Sequence, residues 1–394
     1  MANPLSRQYC TFGDSYTLQP GKSMMNSRTA LTPKAILDSV SDGLYVTNTS
    51  RQIVYWNNAA EQITGWPASE ILGKHCYDDI LCHVDKDGHR LCGEEYCPLH
   101  RSIVTGQAST VPFIVFAQRG KGGRVPLQVS VAPVRDPGGE VIGGVETFRD
   151  MSYEFRDIER AKTIQSLSLQ QELPKDPRVR FSAMYIPCDV IGGDYYAIAP
   201  LDADRYGFFL ADITGHGVPA ALYTMYLSSL WESTHHLLTE PVEFARSMNE
   251  QLCYLIREGE PFAAGVCGLL DLRDGTLHLV GAGNPDPFLI RADGQWQRLD
   301  AKGLPLGIMS DPTYQENVVK IGSGDCLLLY SDGAIEISKP DGGLLGVDGL
   351  EQLLKELGYP DLSTDLGAIE QELLTRSDCI RLNDDLTLLE ARMT

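Results

Sequence analysis

The sequence has no apolar run of the roughly 18 residues that a membrane-spanning helix needs, and its first residues lack the apolar segment of a secretory leader. Positive charge is also scarce, since 33 Lys and Arg face 53 Asp and Glu and leave a net charge of −20. Such a polyanion repels nucleic acid and anionic membranes, so neither is expected as a partner. These absences predict a cytoplasmic protein whose ten cysteines are reduced thiols.

The chain is long enough for two domains, because 394 residues with 43% hydrophobic content can bury two separate cores. A polar stretch at the start predicts a flexible tail. Alternating apolar and polar residues then predict an antiparallel sheet with helices, and a helical connector and a second unit of short strands and glycine turns follow. The predicted boundaries are 1–30 for the tail, 31–148 for the first unit, 149–176 for the connector and 177–394 for the second unit.

The first unit resembles a PAS sensor domain. The segments that carry this resemblance are "DGLYVTN", "IVYWNNAAEQITGW" followed by "SEILGK", and the closing "GGVETFRDMS". The resemblance implies an antiparallel sheet flanked by helices and a sensory role, but it does not identify a ligand.

The connector has an apolar stripe at helical spacing, which predicts a signalling helix that dimerises. A plain amphipathic connector remains the alternative, because the stripe is short and a lysine interrupts it. The residues of the stripe are Met151, Phe155, Ile158, either Ile164 or Gln165, and Leu169, and the lysine is Lys162.

The segment 75–100 of the first unit is unusually rich in cysteine, with Cys76, Cys82, Cys92 and Cys97 among several histidines. Thiolates that lie close in space bind Zn²⁺ or an iron–sulfur cluster. A dithiol switch and ordinary buried cysteines are the other interpretations, since the spacing fits no simple zinc-finger rule.

Four segments of the second unit place a carboxylate at the tip of an apolar strand. Asp194 follows two glycines and begins a strand, Asp212 and Asp332 end strands, and Asp384 and Asp385 precede the last one. A turn residue explains one such aspartate but not four of the same pattern. Converging carboxylates repel one another unless cations separate them, and oxygen ligands suit Mg²⁺ or Mn²⁺. The pattern therefore predicts a metal centre.

The ordered motifs "GGDYY", "LADITGHGVPAAL", "LLYSDGAIE" and "NDDLTLL" resemble the metal-dependent protein phosphatases, in particular the bacterial stage II sporulation protein E type. A Gly-Gly-Asp triplet also opens the signature of cyclic-dinucleotide synthases. There an acidic residue and Phe follow it, whereas here Tyr195 and Tyr196 follow. The phosphatase resemblance implies an α-β-β-α sandwich, and with the first unit it gives an α+β fold class.

The resemblance also implies roles for matching residues. Asp212 would bridge two Mn²⁺ or Mg²⁺ ions with the carbonyl of Ile213 as a further ligand, Asp194 would complete the shell of one ion, and Asp332 and Asp384 would hold the other. A water or hydroxide between the ions would attack phosphorus in line.

Three further positions have less certain roles in the same family. His216 is either a general acid for the leaving oxygen or a residue that orients its loop, and Asp385 is expected outside the ligand shell. Asn284 stands where the family commonly has His, and its neutral amide cannot transfer protons.

The function implied is a PAS-regulated protein serine/threonine phosphatase. Its expected substrate is a phosphorylated regulatory protein of the anti-sigma-factor antagonist type, in a stress-response pathway, and it would act as a homodimer through the connector helix. The alternative is an inactive metal-binding scaffold that binds a phosphoprotein.

Overall fold

The computed structural model of the protein describes residues 32–78, 80–93, 96–111, 113–215, 217–255, 262–339, 342–361, 365–377 and 382–394. Two predictions, the flexible tail over 1–30 and the role of His216, lie outside the described residues.

The N-terminal unit is an antiparallel sheet with the strand order β2-β1-β6-β5-β3, and β4 also pairs with β5. The predicted antiparallel sheet with helices is confirmed. The elements are α1 (Pro33–Asp38), β1 (Gly43–Asn48), β2 (Ile53–Trp56), α2 (Asn58–Thr64), α3 (Ala68–Ile71), α4 (Pro98–Thr105), β3 (Ser109–Thr110), β4 (Val115–Gln118), β5 (Arg124–Arg135) and β6 (Val141–Asp150).

A single helix, α5 (Ser152–Leu169), follows β6 and leads into the second unit. Of the two candidates for its apolar stripe, Gln165 is the buried one and Ile164 is exposed. The Gln165 side chain is buried because its amide donates hydrogen bonds to the Gly192 carbonyl at 2.7 Å and to Thr224 Oγ1 at 2.9 Å. The helix is therefore attached to the second unit by a polar contact at the centre of its buried face.

The second unit alternates strands and helices over the rest of the chain. Its elements are β7 (Lys175–Asp176), β8 (Val179–Ile186), β9 (Asp194–Pro200), β10 (Arg205–Ile213), α6 (Val218–Thr234), a 3₁₀ turn (His235–Thr239), α7 (Pro241–Leu255), β11 (Ala263–Asp271), β12 (Thr276–Ala282), β13 (Phe288–Ile290), β14 (Trp296–Arg298), β15 (Glu316–Lys320), β16 (Cys326–Tyr330), a 3₁₀ turn (Asp332–Ala334), α8 (Gly346–Glu356), α9 (Leu366–Arg376) and β17 (Leu386–Met393).

These strands form two sheets, with the orders β15-β12-β11-β10-β9 and β14-β13-β16-β17-β8-β7. One core lies between the sheets and joins residues such as Phe208 and Leu389. Helices α6 and α7 cover the first sheet through Trp231 and Phe244, and α8 and α9 cover the second through Leu353 and Leu373. The predicted α-β-β-α sandwich is confirmed.

Within the described part of the chain, no helix is both long and apolar enough to cross a membrane. The cysteines of that part are free thiols, as the composition predicts.

The N-terminal unit depends on one fully buried amide, Asn57. Its Oδ1 accepts the backbone N–H groups of Leu44 at 2.9 Å and Ala60 at 2.8 Å, so it caps α2 and also fixes β1. Its Nδ2 donates to the carbonyls of Leu37 and Asp42. A buried side chain that satisfies several backbone groups leaves all of them unpaired when it is removed.

We expect Asn57→Ala to lower the free energy of unfolding of this unit by about 2–4 kcal/mol. Urea denaturation read by peptide-resolved hydrogen exchange measures this unit separately from the rest of the chain. Asn58→Ala is the matched control, since the neighbouring side chain is exposed and its loss should have little effect. Equal effects of the two variants would contradict the capping role.

Candidate metal centre

The four predicted strand tips meet at one end of the sandwich. Asp194 begins β9 and lies directly opposite Asp212 of β10 in the first sheet. Asp332 follows β16, and Asp384 precedes β17 in the second sheet. The carboxylates of both sheets lie close enough that those of the second raise the pKa of Asp212.

Glycines allow the strand ends within each sheet to lie close together. A Cβ at Gly193 would lie 2.9 Å from the carbonyl oxygen of Ile213, and one at Gly333 would lie 2.0 Å from the carbonyl oxygen of Asp385. The Ile213 N–H in turn donates to the Gly193 carbonyl at 3.0 Å. Any larger residue at these two positions would push the aspartate-bearing loops apart.

Asp385 is buried and holds the loop that carries Asp194. Its Oδ1 accepts the N–H of Cys188 at 2.7 Å, and its Oδ2 accepts the N–H of Gly193. Both carboxylate oxygens thus contact backbone donors. The geometry gives Asp385 a positioning contact rather than an open coordination site.

Two carboxylate oxygens at this end are buried without a donor at hydrogen-bonding geometry among the described residues. They are Asp194 Oδ1 and Asp332 Oδ1. The other oxygen of Asp194 accepts the Thr387 hydroxyl at 2.5 Å. Leaving a buried acceptor unsatisfied is costly, and a cation bound between the tips would satisfy both oxygens.

Burial and the neighbouring carboxylates disfavour negative charge at this end. Desolvation, then Asp212 and Asp385, raise the pKa of Asp194 well above its usual range, and desolvation, then Asp332 and Asp384, raise that of Asp212. Burial chiefly raises the pKa of Asp384 to about 6. Hard oxygen donors that repel one another fit Mn²⁺ or Mg²⁺, so the residues present suit the ions that the sequence predicts.

One acidic neighbour was not anticipated from the sequence. Glu336 has a carboxylate oxygen within 4.8 Å of those of Asp332 and Asp384. Its position four residues after Asp332 in "SDGAIE" was the only available signal, because the turn that brings the two side chains together is not visible in the sequence.

Asn284 supports the centre from outside it. Its Nδ2 donates to the carbonyl of Tyr330 at 3.0 Å, at the end of the strand that delivers Asp332. The predicted cysteine site lies in the other unit, where Cys76 and Cys97 are buried and Cys82 and Cys92 are half-buried.

Comparison with known proteins identifies both units of the chain. Residues 202–394 match the family model described as stage II sporulation protein E, and residues 37–154 match the PAS fold. The C-terminal unit is a stage II sporulation protein E domain. The N-terminal unit is a PAS domain.

Several known proteins are similar to this chain at low identity. The chain is 24% identical over 306 residues to the phosphoserine phosphatase RsbU of Bacillus subtilis, covering 77% of this chain and 88% of RsbU. It is 27% identical over 184 residues to the phosphoserine phosphatase RsbP of the same organism, covering 46% and 45%. The SiaA-PP2C domain of Pseudomonas aeruginosa superimposes with a TM-score of 0.52 at 20% identity, over 62% of this chain and 98% of that domain, which shows a shared fold.

In the absence of metal, we expect Asp212→Asn to raise the free energy of unfolding of the sporulation protein E domain by about 1–3 kcal/mol at pH 8, because folding then no longer requires Asp212 either to take up a proton or to bury a repelled charge. The folded pKa values of Asp212 and Asp384 are raised, so the folded state binds more protons than the unfolded state. Stability of the unsubstituted protein should therefore fall as pH rises from about 5 to 8, and less steeply in the variant.

Thermal unfolding in EDTA across this pH range measures both effects. Asp311→Asn is the control, since Asp311 is exposed and far from the cluster in sequence. A destabilised Asp212→Asn variant at pH 8 would contradict the proposed repulsion.

Proposed function

We propose that the chain is a metal-dependent protein phosphatase that hydrolyses phosphoserine or phosphothreonine. The observation that carries this proposal is the convergence of carboxylates from both sheets around two buried oxygens that lack donors. The names of the relatives, both phosphoserine phosphatases, support the reaction class.

The residues of the metal centre would have different roles, according to their positions. Asp212, at the centre of the electrostatic cluster, would bridge two ions; Asp194 and the Ile213 carbonyl would contact one and Asp332 and Asp384 the other. Bound Mn²⁺ or Mg²⁺ supplies a water of lowered pKa and neutralises charge at phosphorus. His216 as general acid stays a prediction.

The substrate is a phosphorylated regulatory protein, of the kind that antagonises an anti-sigma factor. The similarity to RsbU over most of both chains supports this class. The chain would act as a homodimer through α5.

Regulation by the PAS domain would act through α5. Gln165 contacts the carbonyl of Gly192, which lies two residues before Asp194, and Thr224 of helix α6, which follows the Asp212 loop. Gln171, two residues after the end of α5, contacts strand β9, which begins at Asp194. Its side-chain amide donates to the Tyr195 hydroxyl at 3.2 Å. A shift of α5 would therefore displace both sides of the metal centre.

We expect the full chain to hydrolyse p-nitrophenyl phosphate and phosphoserine peptides with Mn²⁺ and to lose this activity in EDTA. Asp212→Asn should lower kcat/KM by about a thousandfold, because it removes the bridging ligand. Glu336→Gln should keep kcat within about threefold and raise the Mn²⁺ concentration for half-activity, since it lies at the edge of the site.

Asp311→Asn should behave as the unsubstituted protein. Turnover that survives Asp212→Asn or EDTA would contradict the two-metal mechanism. Mn²⁺ binding by calorimetry without turnover of any phosphoprotein would favour the alternative scaffold.

We also expect Gln165→Leu to change the Mn²⁺ concentration for half-activity by about fivefold or more, because the variant keeps the size of the side chain but loses both polar contacts. Ser166→Ala, on the exposed side of the same helix, is the control. The same Mn²⁺ titration measures both variants. Equal titration curves for Gln165→Leu and the unsubstituted chain would show that α5 does not act on the centre through this contact.

A further inference from the structure

A tyrosine lies in the inner wall of the metal centre, beside its aspartates. Tyr185 is on β8, directly opposite Thr387 of β17. Residues opposite each other on neighbouring strands point to the same face of a sheet. This face of β8 also carries Phe181 and Ala183, which pack in the core between the two sheets. The Thr387 hydroxyl donates to Asp194 Oδ2 at 2.5 Å, so Tyr185 is the direct neighbour of the residue that holds Asp194.

Gly192, the first glycine of the Gly-Gly-Asp triplet, leaves room for the Tyr185 hydroxyl. A Cβ at Gly192 would lie 2.2 Å from the Tyr185 hydroxyl oxygen and 2.2 Å from Asp385 Oδ2. These two oxygens are therefore neighbours at the Gly192 backbone, and no larger residue fits there. The next N–H, that of Gly193, donates to Asp385 Oδ2. The Tyr185 hydroxyl thus lies between the loop that leads into Asp194 and the start of β17.

The Tyr185 hydroxyl is buried and has no hydrogen-bond partner among the described residues. Asp194 Oδ1 is buried without a donor in the same part of the domain. Buried phenol hydroxyls usually have a partner, and buried carboxylate oxygens do too. Two such groups left unpaired at one end of a core indicate that a polar ligand belongs between them.

The hydroxyl is protonated at neutral pH, because the ordinary pKa of a tyrosine is about 10. Burial, then the negative charges of Asp385 and Asp194, raise the pKa of Tyr185 further. The side chain therefore adds no negative charge to a site where carboxylates already repel one another. Its hydroxyl can donate one hydrogen bond and also accept one.

A buried hydroxyl without a partner is not enough to indicate such a role. Tyr314 has one as well, but it packs in the core beneath α7. Burial and the thiols of Cys267 and Cys253 raise its pKa. Tyr185 differs because its hydroxyl lies among the carboxylates of the metal centre.

We propose that Tyr185 is a positioning residue that hydrogen-bonds a water ligand of the ion held by Asp194. This inference rests on the metal-dependent function proposed above. Mn²⁺ and Mg²⁺ keep water ligands in sites made of carboxylates, and water bound to a cation is a strong donor. The Tyr185 oxygen would accept from that water, while the phenol proton is donated to a carboxylate beside it.

The test uses the full chain with Tyr185→Phe, which removes the hydroxyl and keeps the ring, and Tyr314→Phe as the matched control. In calorimetry with Mn²⁺, Tyr185→Phe should raise Kd about tenfold, and Tyr314→Phe should change it less than about twofold. With a phosphoserine peptide, Tyr185→Phe should lower kcat about tenfold and leave KM within about twofold, because the hydroxyl contacts the water and not the peptide.

Thermal unfolding in EDTA separates this role from packing. Without metal, Tyr185→Phe should unfold within about 2 °C of the unsubstituted chain, because its hydroxyl has no partner to lose. A less stable Tyr185→Phe chain in EDTA would overturn the proposal in favour of a packing role.

Mn²⁺ binding and kcat in Tyr185→Phe equal to those of Tyr314→Phe would also overturn it, and would leave the metal-dependent function intact. Failure of the unsubstituted chain to bind Mn²⁺ would overturn that function and this proposal with it.

Discussion

Repulsion among the carboxylates at one end of the sandwich is the constraint on which the second domain depends. Asp194 and Asp212 face each other in one sheet, and Asp332 and Asp384 reach them from the other. Packing alone would not place charges there, because each loses hydration and gains a like-charged neighbour. The domain keeps them through a rigid frame: paired strands fix the first two, and Asp385, which precedes β17 in the second sheet, accepts the Gly193 N–H beside Asp194 and so connects the two sheets.

The frame is built from polar contacts as much as from apolar packing. Asp385 is the clearest case, since its two oxygens hold the backbone at Cys188 and Gly193 and so set the position of Asp194. Asn284 does similar work at the end of β16. Asp385 thus differs in role from the adjacent Asp384, because both of its carboxylate oxygens already accept hydrogen bonds from backbone N–H groups.

The sequence predicted the fold well where local pattern and chain order agree. The alternating strands of the PAS domain and the strand tips with aspartates were visible because strand periodicity and glycine turns are local signals. The sequence did not show whether Ile164 or Gln165 is the buried residue of the helix. Hydrophobicity favours Ile164, and only the hydrogen bonds to the distant Gly192 and Thr224 explain why Gln165 is buried. Glu336 was missed for a similar reason, because the turn after Asp332 that brings the two side chains together is not visible in the sequence.

Helix α5 connects the two domains as one continuous element. It begins two residues after β6, the last strand of the PAS sheet, and the polar contact of Gln165 lies near its other end. That contact ends on the carbonyl of Gly192, two residues before Asp194. A displacement at the start of α5 would therefore reach the loop that carries Asp194 without passing through any flexible connection.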